Sequence, residues 1–229
     1  MRPYRLTYQL VSPIILGQYP PTLDGLIYAA LCSRSGDERW ALQRLPDYFQ
    51  FTDGVPHASA LAFGRTRSNG VVARTVPLIS GLRTSSDLSS GFIKPYGRSG
   101  GYSQIRTHGG AYRHRFDSYR GYWSPYVCFD FCGKKESIHE LLDFYLLGIG
   151  SHVQIGAGQV RNAVFTPLDR DLSLIDDNGA AVRPLPADTY SALTGNVPEY
   201  PARGRLLPPY WLSGDDLVVQ PTRVRIYNF

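Results

Sequence analysis

Tyr4, Leu6, Tyr8 and Leu10 alternate with Arg5, Thr7 and Gln9 near the start of the chain, the period-2 pattern of a half-buried strand. After Pro20-Pro21, apolar residues Leu23, Leu26, Ile27, Ala30 and Leu31 recur at i, i+3, i+4, i+7 and i+8, the stripe of an amphipathic helix. Thr22 is placed to cap that helix, and Gly36 lies beyond its far end. The same unit returns in mid-chain. Val127, Phe129 and Phe131 alternate with Cys128 and Asp130 up to Gly133, and Ile138, Leu141, Leu142, Tyr145 and Leu146 repeat the helical spacing. Glu136 stands near the second helix start, where the dipole favours a carboxylate, and Gly148 and Gly150 stop the helix. Val160, Asn162 and Val164, alternating with Arg161, Ala163 and Phe165, predict a returning strand; the short apolar run Ser59–Gly64 fits the strand after the first helix.

Strand-helix-strand, a long insertion, then strand-helix-strand predicts an α+β chain, a ferredoxin-like (RRM-like) domain with an antiparallel sheet and both helices on one face. The expected core covers residues 1–166 and includes an inserted region over 65–124. An extended, β-rich region over 167–229 is expected to pack on it. There, Pro184–Pro209 lacks helical periodicity and reads as extended chain, and Leu217–Val219 and Val224–Tyr227 read as short terminal strands of a hairpin. Asp176-Asp177-Asn178-Gly179 and Asp215-Asp216 read as turns.

Charge changes the picture of the insertion. The 229 residues carry 24 Lys+Arg, 19 Asp+Glu and a net charge of +5. Between Leu61 and Pro125 ten bases face only Asp87 and Asp117, a local balance of +8, which leaves −3 for the rest. Arginine outnumbers lysine 21 to 3 along the whole chain, a habit that GC-rich codons would explain, but it does not account for the missing acids. Tyrosines and glycines interleave with the cations. Guanidinium forks bind phosphates and aromatic faces stack on unpaired bases, so the window predicts a surface for single-stranded nucleic acid. The expected RNA-binding residues are Arg83, Lys94, Arg98, Arg106, Arg113, Arg115 and Arg120, with Tyr102, Tyr112, Tyr119 and Tyr122 to stack on bases or brace the insertion.

Other chemistries are poorly provided for. No apolar run approaches the ~18 residues of a membrane span, and Ile14–Leu16 is too short for a signal peptide. Three cysteines close no disulfide framework, so a reducing cytoplasm is the expected compartment. Cys128 and Cys132 lie four residues apart on a strand, ~13 Å and too far to share a metal, and are expected to pack like Cys32. The aspartates between Asp169 and Asp177 lack the glycine-centred ladder of a calcium loop. No P-loop, nucleophile elbow or zinc-protease helix is present, so neither a cofactor nor a metal is expected.

The most distinctive stretch is Gly148-Ile-Gly150-Ser-His-Val-Gln-Ile-Gly156-Ala-Gly158, between the second helix and the last strand. A dinucleotide-binding fingerprint needs its glycines after a strand and before a helix, so the order is wrong for one. The stretch resembles the glycine-rich loop of the RAMP superfamily of CRISPR systems. Pro21-Thr22-Leu23-Asp24-Gly25-Leu26 is similar to that superfamily's N-terminal signature, as is the Val127–Val164 strand-helix-loop-strand block. Within it, the chain most resembles the CRISPR-associated protein 5 family of type IV effector complexes, over about half its length.

That resemblance implies a non-catalytic subunit of an antiviral ribonucleoprotein, holding the 5′ handle of the CRISPR RNA and capping the backbone filament. Its implied partners are the crRNA, the backbone and large subunits and, within the complex, target DNA, with no membrane. By position, the basic window would include an inserted thumb, and Gly148, Gly150, Gly156 and Gly158 would face RNA. Ser151 and His152 stand where many such loops carry Lys or Arg, which leaves phosphate contact to backbone N–H groups. An alternative is a metal-independent endoribonuclease of the CRISPR-associated protein 6 family that processes the precursor RNA. His108 or His114 would be its general base beside Arg113 or Arg115. A third reading is an unrelated interaction module whose basic loop binds an acidic protein.

Overall fold

The alternating segment at the start of the chain forms β1 (Arg2–Leu10), with Leu6, Tyr8 and Leu10 buried. The structure is a computed structural model and describes residues 1–66, 70–80 and 115–228. A short strand, β2 (Ile14–Ile15), precedes α1 (Leu23–Ser35). Thr22 Oγ1 accepts the Gly25 N–H at the start of α1, and Gly36 ends it in the left-handed region at φ +71°. A second helix, α2 (Glu38–Arg44), follows, its cap Asp37 accepting from the Arg39 and Trp40 N–H groups. Only Ala41 of α2 is buried, so the helix has no apolar stripe for periodicity to find.

The strands β3 (Phe51–Thr52) and β4 (Val55–Pro56) form a hairpin about Asp53 and Gly54, both at positive φ. Then come β5 (Ala62–Arg65), β6 (Val72–Ser80), β7 (Arg115–Trp123) and β8 (Tyr126–Gly133). The second striped segment folds as α3 (Lys135–Tyr145) and returns as β9 (Val160–Pro167). Beyond it lie β10 (Leu185–Pro186), α4 (Ala187–Thr194), β11 (Ala202–Gly204), β12 (Asp216–Val219) and β13 (Arg225–Asn228).

The fold is α+β. Its main sheet runs β13-β5-β8-β1-β9. Three pairings are antiparallel: β1 with β8, placing Leu6 opposite Phe129; β1 with β9, placing Leu6 opposite Phe165; and β5 with β8, placing Phe63 opposite Val127. The outermost strand, β13, runs parallel to β5. Leu6, Phe129 and Phe131 from the sheet share one core with Leu23, Ile27 and Leu31 of α1 and Ile138 and Leu142 of α3. Burying each such side chain stabilises the fold by ~1.5–3 kcal/mol.

Two expectations for the C-terminal region are corrected. Residues 184–209 are not wholly extended, because α4 forms between Pro186 at its N-cap and Gly195 at its left-handed C-cap. Eight residues with none fully buried carry no readable stripe. Nor do the last two strands pair as a hairpin: β12 lies between β10 and β11, and β13 joins β5.

By Cα proximity the chain divides into one unit of residues 1–74 with 121–229 and a second of residues 75–120. The second holds most of β6 and the larger part of β7, which are neighbours in a sheet.

Candidate nucleic-acid interface

After α3, the glycine-rich loop folds back on the segment between β1 and β2. The Ile149 N–H donates to the Gly158 carbonyl (2.8 Å), the Ser151 N–H to Ile15 (2.8 Å), and the Gly158 N–H to Pro13 (2.9 Å). Ser12 Oγ completes the seam by donating to the Gly156 carbonyl at 2.6 Å. Gly148 and Gly150 form the loop's entry, a 3₁₀ turn spans Val153–Ile155, and Gly156 closes that turn. Gly158 has φ +66°, and a Cβ there would overlap the Ile149 backbone. Only glycine allows that approach.

The expectation that this loop's backbone donors are open to phosphate is therefore corrected at six positions. The N–H groups of Ile149, Ser151, Ile155, Gly156, Ala157 and Gly158 all bond within the protein. The side chains of Gln154 and Ile155 are exposed and remain for an outside partner.

From the basic window the structure places Tyr119, Arg120 and Tyr122 along β7. Arg120 is exposed, and the half-buried Tyr122 ring lies 5.9 Å from that of Phe63. Tyr122 therefore braces the base of the strand. Arg115 opens β7. Arg83, Lys94, Arg98, Tyr102, Arg106, Tyr112 and Arg113 lie outside the described residues, as do His108 and His114.

Three buried polar clusters escaped sequence reasoning. Arg5 donates through Nε to Asp130 Oδ1 (2.6 Å) and through Nη2 to Oδ2 (3.0 Å), and its guanidinium lies 3.6 Å from the centre of the Tyr227 ring. Burial works against its charge, but Asp130 outweighs that and holds its pKa above the usual arginine value. The signal existed: positions opposite each other on β1 and β8 carry opposite charges.

Arg183, with no exposed surface, donates to the carbonyls of Pro56 (2.5 Å), Ala58 (3.0 Å) and Leu206 (2.9 Å) and to the Tyr210 hydroxyl (2.7 Å). It stands 3.5 Å from Asp24 Oδ1, and the Tyr210 hydroxyl donates to Asp24 Oδ2 at 2.5 Å. Burial raises the Tyr210 pKa well above the ordinary value. Asp24, read above as part of an N-terminal signature, thus anchors the C-terminal region to the start of α1.

His57 bonds through Nδ1 to Asp171 Oδ2 and through Nε2 to Thr52 Oγ1 (2.8 Å). Burial pushes the Asp171 pKa up, and hydrogen bonds from His57 and Ser173 more than offset it, leaving the group below the ordinary carboxylate value. With Asp171 ionised, Nδ1 donates to it, and Nε2 shares a hydrogen bond with the Thr52 hydroxyl. The cluster ties the β3–β4 hairpin to the segment after β9. Cys128 is buried on the sheet, and burial pushes its thiol up to about 12, as suits a packing residue. Among the described residues no group of three His, Cys, Asp or Glu side chains is placed to hold a metal ion, and no helix is long and apolar enough to cross a membrane.

Compared with protein-family models, the chain matches none, and no curated protein is significantly similar to it.

Proposed function

We propose that the chain is a non-catalytic RNA-binding subunit of a type IV CRISPR ribonucleoprotein, holding the 5′ handle of the crRNA and capping the backbone filament in the cytoplasm. One observation carries the reading: the strongly basic window interrupts the main sheet's chain path between β5 and β8. With β13 set aside, the order β5-β8-β1-β9 and the crossovers through α1 and α3 support a ferredoxin-like reading, the domain type expected of a RAMP protein. The inserted window supplies arginine and tyrosine without neighbouring acids, the composition that grips single-stranded RNA through phosphates and stacked bases. On this reading Arg115 and Arg120 of β7 and Arg83, Lys94, Arg98, Arg106 and Arg113 bind phosphates, while Tyr102, Tyr112 and Tyr119 stack. The Gly148–Gly158 loop contributes shape and the exposed Gln154 and Ile155 side chains.

The test is co-purification with crRNA from cells that carry the other effector subunits. Arg113→Glu, Arg115→Glu and Arg120→Glu together should abolish it, and RNA retained at the wild-type level would contradict the proposal.

A further inference from the structure

A cavity of about 330 Å³ lies between Tyr19, in the loop before α1, and the chain around β11 and β12. Its volume falls at the lower end of the ~300–1,000 Å³ of small-ligand pockets. Arg203, Arg205 and Gln220 share its lining with Gly204 and Gly214. Gln220 Oε1 is buried there with no hydrogen-bond partner. Buried acceptors are nearly always paired, so one left open in a cavity wall points to a donor arriving from outside. Gly204 keeps the room for that amide, since a Cβ there would come within 2.7 Å of Gln220 Nε2 and 2.6 Å of Val218 Cγ2.

The charges suit the same ligand. Arg203 meets Asp215 at 3.6 Å, with 76% and 103% of the two side chains exposed. Such a pair is weak, and a phosphate can displace the carboxylate. A cation pair, an aromatic ring and an amide facing one small cavity match the phosphate, the flat face and the polar edge of a nucleotide.

We infer that this cavity receives one unpaired nucleotide of bound RNA, whose base carries an exocyclic amino group. The inference rests on the RNA-binding reading above and adds a base-selective subsite to it, in the unit of residues 1–74 and 121–229. Arg203 and Arg205 bind the phosphate, Tyr19 stacks on the base, and Gln220 Oε1 accepts from the amino group. A glutamine amide fits adenine by accepting from N6 and donating to N7, the bidentate pairing glutamine makes with that base.

Fluorescence anisotropy of the full chain with short labelled oligo(A) and oligo(U) RNA tests this. Oligo(A) should bind ~10-fold more tightly than oligo(U), the discrimination expected of one bidentate contact. Gln220→Leu should remove the preference and leave oligo(U) affinity unchanged. Gln220→Glu, which keeps the acceptor but loses the donor, should weaken the preference without abolishing it. Arg203→Ala with Arg205→Ala should weaken both RNAs alike and lower the salt slope by about 0.7, the value for one phosphate of a single strand. Equal binding of the two RNAs by the wild-type chain, or a preference that survives Gln220→Leu, would overturn the subsite while leaving RNA binding intact. Failure of the wild-type chain to bind either RNA would overturn both.

Discussion

The two faces of the main sheet are built on opposite principles. Towards α1 and α3 the sheet presents Leu6, Phe129 and Phe131, and the Phe131 ring meets those of Tyr4 at 5.7 Å, Phe165 at 6.1 Å and Phe49 at 6.4 Å. On the other face the same strands offer Arg5, Cys128 and Asp130, with Arg225 and Tyr227 of β13 set beside them. Apolar packing is non-directional, so it fixes the layers and tolerates many partners. Buried charges accept few partners, because each needs a counter-charge and its hydrogen bonds. The first face assembles the helices on the sheet. Polar contacts such as Arg5–Asp130 at the second face, and Arg183–Asp24 at the start of α1, decide where the C-terminal chain must run.

That contrast can be broken most sharply at Arg183. Replacing it with alanine leaves Asp24 buried without its counter-charge and should destabilise the chain by ~3–5 kcal/mol, measured by urea unfolding. Removing both charges with Arg183→Met and Asp24→Leu should recover much of that loss. Recovery no better than in the single variant would show that the hydrogen bonds of Arg183, and not its charge, hold the region.

A smaller effect is expected at Gly158→Ala, which combines a left-handed backbone with a Cβ set against Ile149. The change should lower stability by more than ~1 kcal/mol, with the loss read from the same unfolding curves. The smallest effect concerns pH. Because the Asp171 pKa is lowered on folding, its contribution is present above the unfolded value of ~3.9 and is lost as pH falls through the folded value. Asp171→Asn should therefore reduce stability at neutral pH and flatten its decline on acidification. Melting temperatures across an acid series would measure it, and a decline as steep as the wild type's would remove Asp171 from the account.

Apolar and polar contacts leave different traces in the sequence. Alternation and the i, i+3, i+4 stripe made β1, α1, β8, α3 and β9 legible, since each buries one face on the apolar core. The Arg183–Asp24 contact was not legible, because the two residues are 159 positions apart and nothing local distinguishes a buried arginine from a solvated one. Short elements such as α2 and α4 bury too few side chains to print a period. The glycine-rich loop was visible as a feature, but its close packing against Pro13 and Ile15 comes from tertiary contact alone. In the candidate interface, charge located the basic window, and composition could not distinguish Tyr122, packed on Phe63, from tyrosines that would meet RNA.

The most direct test of the central claim is ultraviolet crosslinking of RNA that purifies with the full chain, followed by mass mapping of peptide–nucleotide adducts. RNA held by the basic window should give adducts concentrated in residues 65–124, with yields that fall steeply as salt rises because phosphate contacts release counterions. A chain that purifies free of RNA at low salt, or adducts confined to α2 and α3, would contradict it.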